Sequence, residues 1–279
     1  MNPDPCNVAV EGVGPHSGGT ALKPELDTTR PSIARVYDYW LGGKDNFAAD
    51  REMADEMERC YPGTRQMAVS NRQFLVRAVT WAAGQGISQF LDLGAGLPTV
   101  ENTHQTARAV TPDARVCYVD NDPVAALHAS ALLAGSSGIA AVRADLTDPE
   151  QVLADPGLQA VIDLSQPVAV IFAMVLHFLS ADEARSVVAE YAAALAPGSY
   201  IVVSILRCDD LELWTRGRPL YTAGNSRNHT REEVTSFLSG LELVPPGLVE
   251  ARSWRGGMPD PSLPAKEPAY VLAGVAQKR

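Results

Sequence analysis

The chain has 279 residues, 46% hydrophobic and 20% charged, enough to bury a sizeable core as one large domain or two small ones. A formal net charge of -10 argues against a nucleic-acid surface, which needs clustered Lys and Arg. It leaves room for a small anionic or zwitterionic ligand held by a few local charges.

Residues 1–27 are rich in Gly, Pro and small polar residues without periodicity, and predict a mobile tail. Order is expected from Thr28 onward, with Thr29 capping a helix and Pro31 in its first turn. Ile33, Val36, Tyr37 and Trp40 recur at helical spacing until Gly42 and Gly43 stop the run. The segment 37–47 crowds aromatics, two glycines, Lys44 and Asn46 together. It reads either as a helix C-cap with Trp40 and Phe47 packed on the core, or as a lid whose glycine backbone approaches a ligand. On the lid reading Tyr39, Gly42 and Lys44 join the ligand-binding residues. Helices over 47–60 and 64–83 follow, separated by Tyr61-Pro62-Gly63, and complete an N-terminal helical cap over 28–86.

From Ile87 short apolar strands alternate with helical stretches through 87–279, the pattern of an α/β core with a doubly wound, mostly parallel sheet. Strands are expected near 88–93, 115–120, 139–144, 168–173 and 199–206, and helices near 99–110, 123–135, 148–155 and 181–195. Strands near 246–253 and 269–276 form an expected antiparallel edge pair, joined by a Pro- and Gly-rich loop at 256–268. The connection 209–240 is long and polar, as lids and binding loops are, and Thr230 with Glu233 is a capping box that opens a helix. The apolar run 168–176 is far short of the about 20 residues a membrane span needs, and no basic-then-apolar leader is visible. Cys6, Cys60, Cys117 and Cys208 are scattered, without metal or redox spacing. No membrane or metal partner is expected, and a reducing, cytoplasmic location is.

The chemistry concentrates at the strand ends. Asp92 and Gly94-Ala95-Gly96 make a tight turn after the first strand, where backbone can approach a nucleotide-type ligand. A dinucleotide fingerprint would place Gly or Ala at position 99, but Thr99 stands there, after Pro98. Asp120, about 20 residues beyond the turn, is placed to accept from ribose hydroxyls, whereas Asp122 is explained as a helix cap. Asp145 can accept from an adenine amine while the Leu146 N–H meets a ring nitrogen; alternatively it is a loop acid or cap for the helix at Asp148-Pro149. His177 follows the fourth strand and is either a general base or a packing or cofactor-flanking residue. His229 is a second candidate base, or else a solvent-exposed loop histidine.

Phe90-Leu91-Asp92-Leu93-Gly94-Ala95-Gly96, Tyr118-Val119-Asp120-Asn121-Asp122-Pro123, Arg143-Ala144-Asp145 and Ala194-Leu195-Ala196-Pro197-Gly198 resemble the successive motifs of class I S-adenosylmethionine-dependent methyltransferases. The run 30–47 is similar to the hallmark of the S-adenosyl methyltransferase family, formerly a domain of unknown function and common in actinobacteria. The resemblance covers residue 28 to the C-terminus. It implies a seven-stranded Rossmann-like sheet, an N-terminal helical cap, and S-adenosylmethionine as cofactor with S-adenosylhomocysteine as product. By position, Asp92, Gly94 and Gly96 would meet the methionine moiety, Asp120 and Asn121 the ribose, and Asp145 and Leu146 the adenine, with Ala173 and Met174 on the opposite wall. The expected function is methyl transfer to a small-molecule O, N or C nucleophile. The rivals are a binding protein without turnover and an NAD-dependent oxidoreductase, the latter disfavoured by Thr99.

Overall fold

The computed structural model describes residues 27–98, 101–122, 125, 136–220, 226–256 and 268–279. The expected tail, the helix at 123–135 and the loop at 256–268 lie almost wholly outside these residues. The chain opens with α1 (Ile33–Trp40), α2 (Ala48–Cys60) and α3 (Thr64–Gly84). Parallel strands β1 (Gln89–Leu93), β2 (Arg115–Asp120), β3 (Ile139–Arg143), β4 (Ala169–Ala173) and β5 (Tyr200–Cys208) follow. Between them lie α4 (Thr103–Val110), α5 (Pro149–Ala154), α6 (Pro156–Gln159) and α7 (Ala181–Ala194). The chain closes with α8 (Leu211–Gly217), α9 (Arg231–Phe237), β6 (Glu242–Leu243), β7 (Val249–Glu250) and β8 (Ala269–Gln277).

The strand order is β3-β2-β1-β4-β5-β8-β6, with β7 also paired to β8, so the described sheet has eight strands rather than seven. The chain runs outward through β1, β2 and β3 and then crosses back to β4 on the other side of β1. That reversal opens a crevice at the carboxyl ends of β1 and β4, where doubly wound sheets bind ligands. β8 is antiparallel to β5, β6 and β7 and lies inside the sheet, leaving β6 at the edge.

Strand residues alternate between two apolar layers, as the pleat requires. Phe90, Val116, Ile171 and Val202 face a cluster with Phe74, Ala78 and Ala82 of α3. Leu91, Cys117, Val170 and Ile201 face the opposite cluster with Val152, Leu158, Val188 and Tyr191. The long helix α3 therefore covers one face of the sheet. It is locked by T-shaped contacts of Phe74 and Trp81 with Trp254, and by Arg77, which donates to the carbonyls of Ala251 and Trp254. Val36 and Trp40 of α1 pack with Met53, Ala54, Met57 and Ala68 in a third cluster.

Several local expectations change. Helix α1 begins at Ile33 behind Ser32, and Thr29 instead donates to Asp27 through both its N–H and its hydroxyl. The start of α1 is tied down by Asp50, which accepts from Ser32 N, Phe47 N and Arg35 Nε. The expected helix at 99–110 starts at Thr103, because Asn102 and Gln105 close a capping box there. The stretch expected as one helix at 148–155 continues as a second piece. Asp155 accepts from the N–H groups of Gly157 and Leu158, and Pro156 has no N–H to extend the first helix. The expected strand at 246–253 shortens to β7, antiparallel to β8, followed by a 3₁₀ turn at Ala251–Ser253, with β6 ahead of it at Glu242–Leu243. Pro245 and Pro246 cannot donate to a ladder between them. The connection 209–240 contains α8, a 3₁₀ turn at Arg218–Leu220, and α9.

Candidate cofactor-binding site

The glycine turn is a close approach of three loops. Gly94 and Gly96 have φ of 70° and 66°, the left-handed region that favours glycine. A Cβ on Gly94 would stand 2.4 Å from Val175 Cγ1 and 3.4 Å from Leu146 Cδ2. The loops after β3 and β4 thus converge on this glycine, and no other residue type fits. At Gly96 a Cβ would first meet Ala34 of α1, 3.9 Å away, so the N-terminal helices stand above the turn.

Asp120 bridges two loops. Its Oδ2 accepts from Gly96 N at 2.7 Å and its Oδ1 from Asp122 N at 2.8 Å. An ionised carboxylate has about four acceptor positions, so one on each oxygen remains for a ligand hydroxyl. Burial pushes its pKa up, and the two amides pull it back. Asp92 is also buried, which raises its pKa, and Thr103 Oγ1 donates to its Oδ2 at 2.6 Å.

Asp145 is exposed and accepts at Oδ1 from the N–H and hydroxyl of Thr147. Burial raises its pKa, but those bonds and one from the Asn121 side chain outweigh this and lower it. The cap of α5 is Asp148, which accepts from Gln151 N at 3.0 Å, so Asp145 does not fill that role.

A cleft of about 170 Å³ lies against this turn, lined by Asp92, Gly96, Thr103, His104 and Tyr118 of the core and by Arg72 of α3. The Tyr118 hydroxyl lies 2.9 Å from His104 N and 2.8 Å from its Nδ1. Burial, then the charge of Arg108, lowers the His104 pKa. Arg72, Thr103 and His104 are not among the residues singled out from sequence, and Tyr118 entered only as part of the motif at the end of β2. The only sequence feature there is a polar run, Ser70-Asn71-Arg72-Gln73, in a long helix, which does not by itself say where Arg72 faces.

Behind the cleft a hydrogen-bond chain joins α1, α3 and β5 to the end of β4. Tyr37 donates to Ala68 O (3.1 Å), Asn71 Nδ2 to Tyr37 Oη (2.8 Å), Ser204 Oγ to Asn71 Oδ1 (2.6 Å), and Met174 N to Ser204 Oγ (3.2 Å). Met174 has φ of 59°, a left-handed conformation uncommon for a non-glycine residue. Ala173 ends β4 in register with Ser204.

The other expected residues are placed elsewhere. Tyr39 donates to Asp55 and lies beneath the Arg65 guanidinium, while Gly42 and Lys44 are exposed. The two adjacent glycines serve the segment itself: Gly42 turns with φ of 78°, and a Cβ on Gly43 would collide with Asp38. Asp38 in turn accepts from Asp45 N and Asn46 Nδ2. Trp40 is buried, but Phe47 is exposed and lies under Arg35. His177 and His229 are both buried, at 1% and 3% exposure, and neither lines the cleft. Burial, then the charge of His229, brings the His177 pKa down to about 3, and burial lowers that of His229. His229 Nε2 lies 3.0 Å from Leu179 O and its ring packs edge-on against Phe237, so it is not a solvent-exposed loop residue.

A doubly wound sheet with a helical N-terminus, a glycine turn after β1 and acids at the next two strand ends defines the class I methyltransferase architecture. The chain belongs to the S-adenosyl methyltransferase family, whose model matches residues 19–279. It is similar to a presumed methyltransferase from Thermobifida fusca YX, with 44% identity, 92% of this chain and 98% of that chain covered, and a TM-score of 0.86. A DUF574-family protein from Streptomyces avermitilis MA-4680 has 35% identity, 91% and 100% coverage, and a TM-score of 0.83. None of the curated proteins matches the chain. No described helix is long and apolar enough to cross a membrane.

Proposed function

We propose that this protein transfers the methyl group of S-adenosylmethionine to a small-molecule O, N or C nucleophile. The observation that carries this reading is Asp120, held by Gly96 N and Asp122 N with acceptor capacity to spare for two ribose hydroxyls. When bound, the cofactor supplies an electrophilic methyl group on a sulfonium centre. Asp92, Gly94 and Gly96 would hold its amino-acid end, Asp120 with Asn121 its ribose, and Asp145 with Leu146 its adenine. Ala173 and Met174 would form the opposite wall. Tyr39, Gly42 and Lys44, at or near the end of α1, would border the entrance.

The chain's contribution is orientation and exclusion of water, which can supply much of the acceleration of a displacement. A base is needed only for an acceptor that arrives protonated. His177 and His229, neutral and buried, serve the fold instead. Among the described residues no group of three or more His, Cys, Asp and Glu suits a metal ion.

Calorimetric titration with S-adenosylhomocysteine and with NAD tests the cofactor. The expected result is binding of the first alone; binding of NAD alone would overturn the proposal. Radiolabelled S-adenosylmethionine with a metabolite extract then separates enzyme from binding protein. Label should appear in a small molecule, and intact binding without any transfer would favour a sensor.

A further inference from the structure

Helix α3 covers the sheet, but one of its residues looks into the cleft. Arg72 lines it opposite the glycine turn, and is the sole Lys or Arg among the described lining residues. Its direction is set by its neighbour. Asn71 is buried and bonded on both sides, to Tyr37 of α1 and Ser204 of β5, which fixes the rotation of α3 about its axis. The next residue is turned by about 100° on a helix, toward Asp92 and Tyr118. Burial raises the pKa of Asp92, Tyr118 and Tyr37, and the charge of Arg72 pulls each back.

The cleft therefore presents a fixed cation and a buried carboxylate beside one glycine turn. A nucleoside without charge has no use for that pair. An α-amino acid carries an ammonium and a carboxylate on the same carbon, and matches it. Resting on the function proposed above, we infer that Arg72 binds the α-carboxylate of the cofactor's amino-acid head while Asp92 takes its ammonium, making the carboxylate a requirement for binding. The guanidinium suits this because it stays charged and presents two parallel N–H groups to a carboxylate. The amino-acid specificity of the site then comes from α3 in the N-terminal region, outside the strand-end motifs.

The test compares S-adenosylhomocysteine with its decarboxylated analogue, which keeps the nucleoside, thioether and amine. Each is titrated calorimetrically into the full chain, unaltered and as Arg72→Ala and Arg72→Lys. The unaltered protein should prefer the carboxylate-bearing ligand by about tenfold or more, the scale of one charge-assisted bidentate contact. Arg72→Ala should lose that preference while still binding the analogue within about twofold of the unaltered protein, and Arg72→Lys should keep part of the preference. Binding of the analogue shows that the Ala variant is folded; if it is not, the Lys variant and the ligand preference of the unaltered protein decide. Equal affinity of the unaltered protein for both ligands, or an undiminished preference in Arg72→Ala or Arg72→Lys, would overturn the inference and leave the proposed function standing. No binding of S-adenosylhomocysteine by the unaltered protein would overturn both.

Discussion

Two polar clusters sit near the carboxyl ends of the strands, and burial has done opposite things with them. Around the glycine turn, Asp92, Thr103, His104, Tyr118 and Arg72 surround open space, and Asp120, bonded to Gly96 N of that turn, keeps acceptor capacity after holding two backbone amides. Beyond β4, His177 and His229 are enclosed by Phe178, Leu179 and Phe237 and line no part of the cleft. From sequence each histidine of the second cluster was a candidate base, because histidine titrates near neutrality, or else a packing or loop residue. In the fold it is the first cluster that lines a cavity. A titratable group is functional where its remaining bonds face a cavity, and structural where the protein has used them.

The sharpest division between the clusters should come from one substitution in each. Asp120→Ala removes the acceptor bonded to the glycine turn. Loss of two charge-assisted bonds to a ligand predicts a fall of about a hundredfold in S-adenosylhomocysteine affinity. Stability should move by less than about 1 kcal/mol, since relief of a desolvated carboxylate offsets the loss of its amide bonds. His229→Ala should do the reverse. It deletes a buried ring and its bond to Leu179 O, at a cost of about 2 kcal/mol in denaturant unfolding, with ligand affinity within about twofold. If His229→Ala instead abolished binding at unchanged stability, the histidines would belong to the site and the comparison would collapse.

Acid unfolding sharpens the same contrast. The His177 pKa falls from its ordinary 6.5 to about 3 on folding, chiefly through burial. The folded state therefore accommodates only its neutral form, while the unfolded chain takes up the proton once pH drops below 6.5. That contribution to stability is complete above pH 6.5 and is lost progressively toward pH 3, at up to about 1.4 kcal/mol per pH unit. His229 shifts in the same direction and adds to the loss. Replacing His177 by Gln should flatten the stability profile between pH 6 and 4.5 by nearly one proton, read from urea midpoints across that window. An unchanged slope would mean that water already reaches the ring.

How much of this was legible in the sequence depends on range. β1 to β5 announced themselves as short apolar runs, the first three with an acid at or just past the carboxyl end, because a parallel strand is buried on both faces and its carboxyl end meets the crevice. β6 and β7 are two residues each, too short for any periodicity, and exist because β8 offers them a partner. Asp92, Gly94 and Gly96 were legible because a turn that tight admits few residues. Arg72 was not: an arginine on a long helix reads as solvated surface until the rotation of α3 against β5 is known. His229 sits in a polar stretch, Asn228-His229-Thr230, and its burial comes from Phe237 and Leu179, which local sequence does not connect to it.

The smallest expected effect concerns what holds the open cluster in shape. Tyr37, Asn71 and Ser204 link α1 through α3 and β5 to the strained Met174 at the end of β4. Tyr37→Phe removes one hydroxyl, leaving Asn71 Nδ2 and Ala68 O without that partner. The cost should be about 1 kcal/mol, the usual net value of one buried hydrogen bond. Since Asn71 also fixes the direction of Arg72, the same change should weaken S-adenosylhomocysteine binding more than binding of its decarboxylated analogue, by about two- to threefold, on the scale of a few tenths of a kcal/mol. An equal loss for both ligands would mean that the chain supports the pocket as a whole and does not aim the arginine.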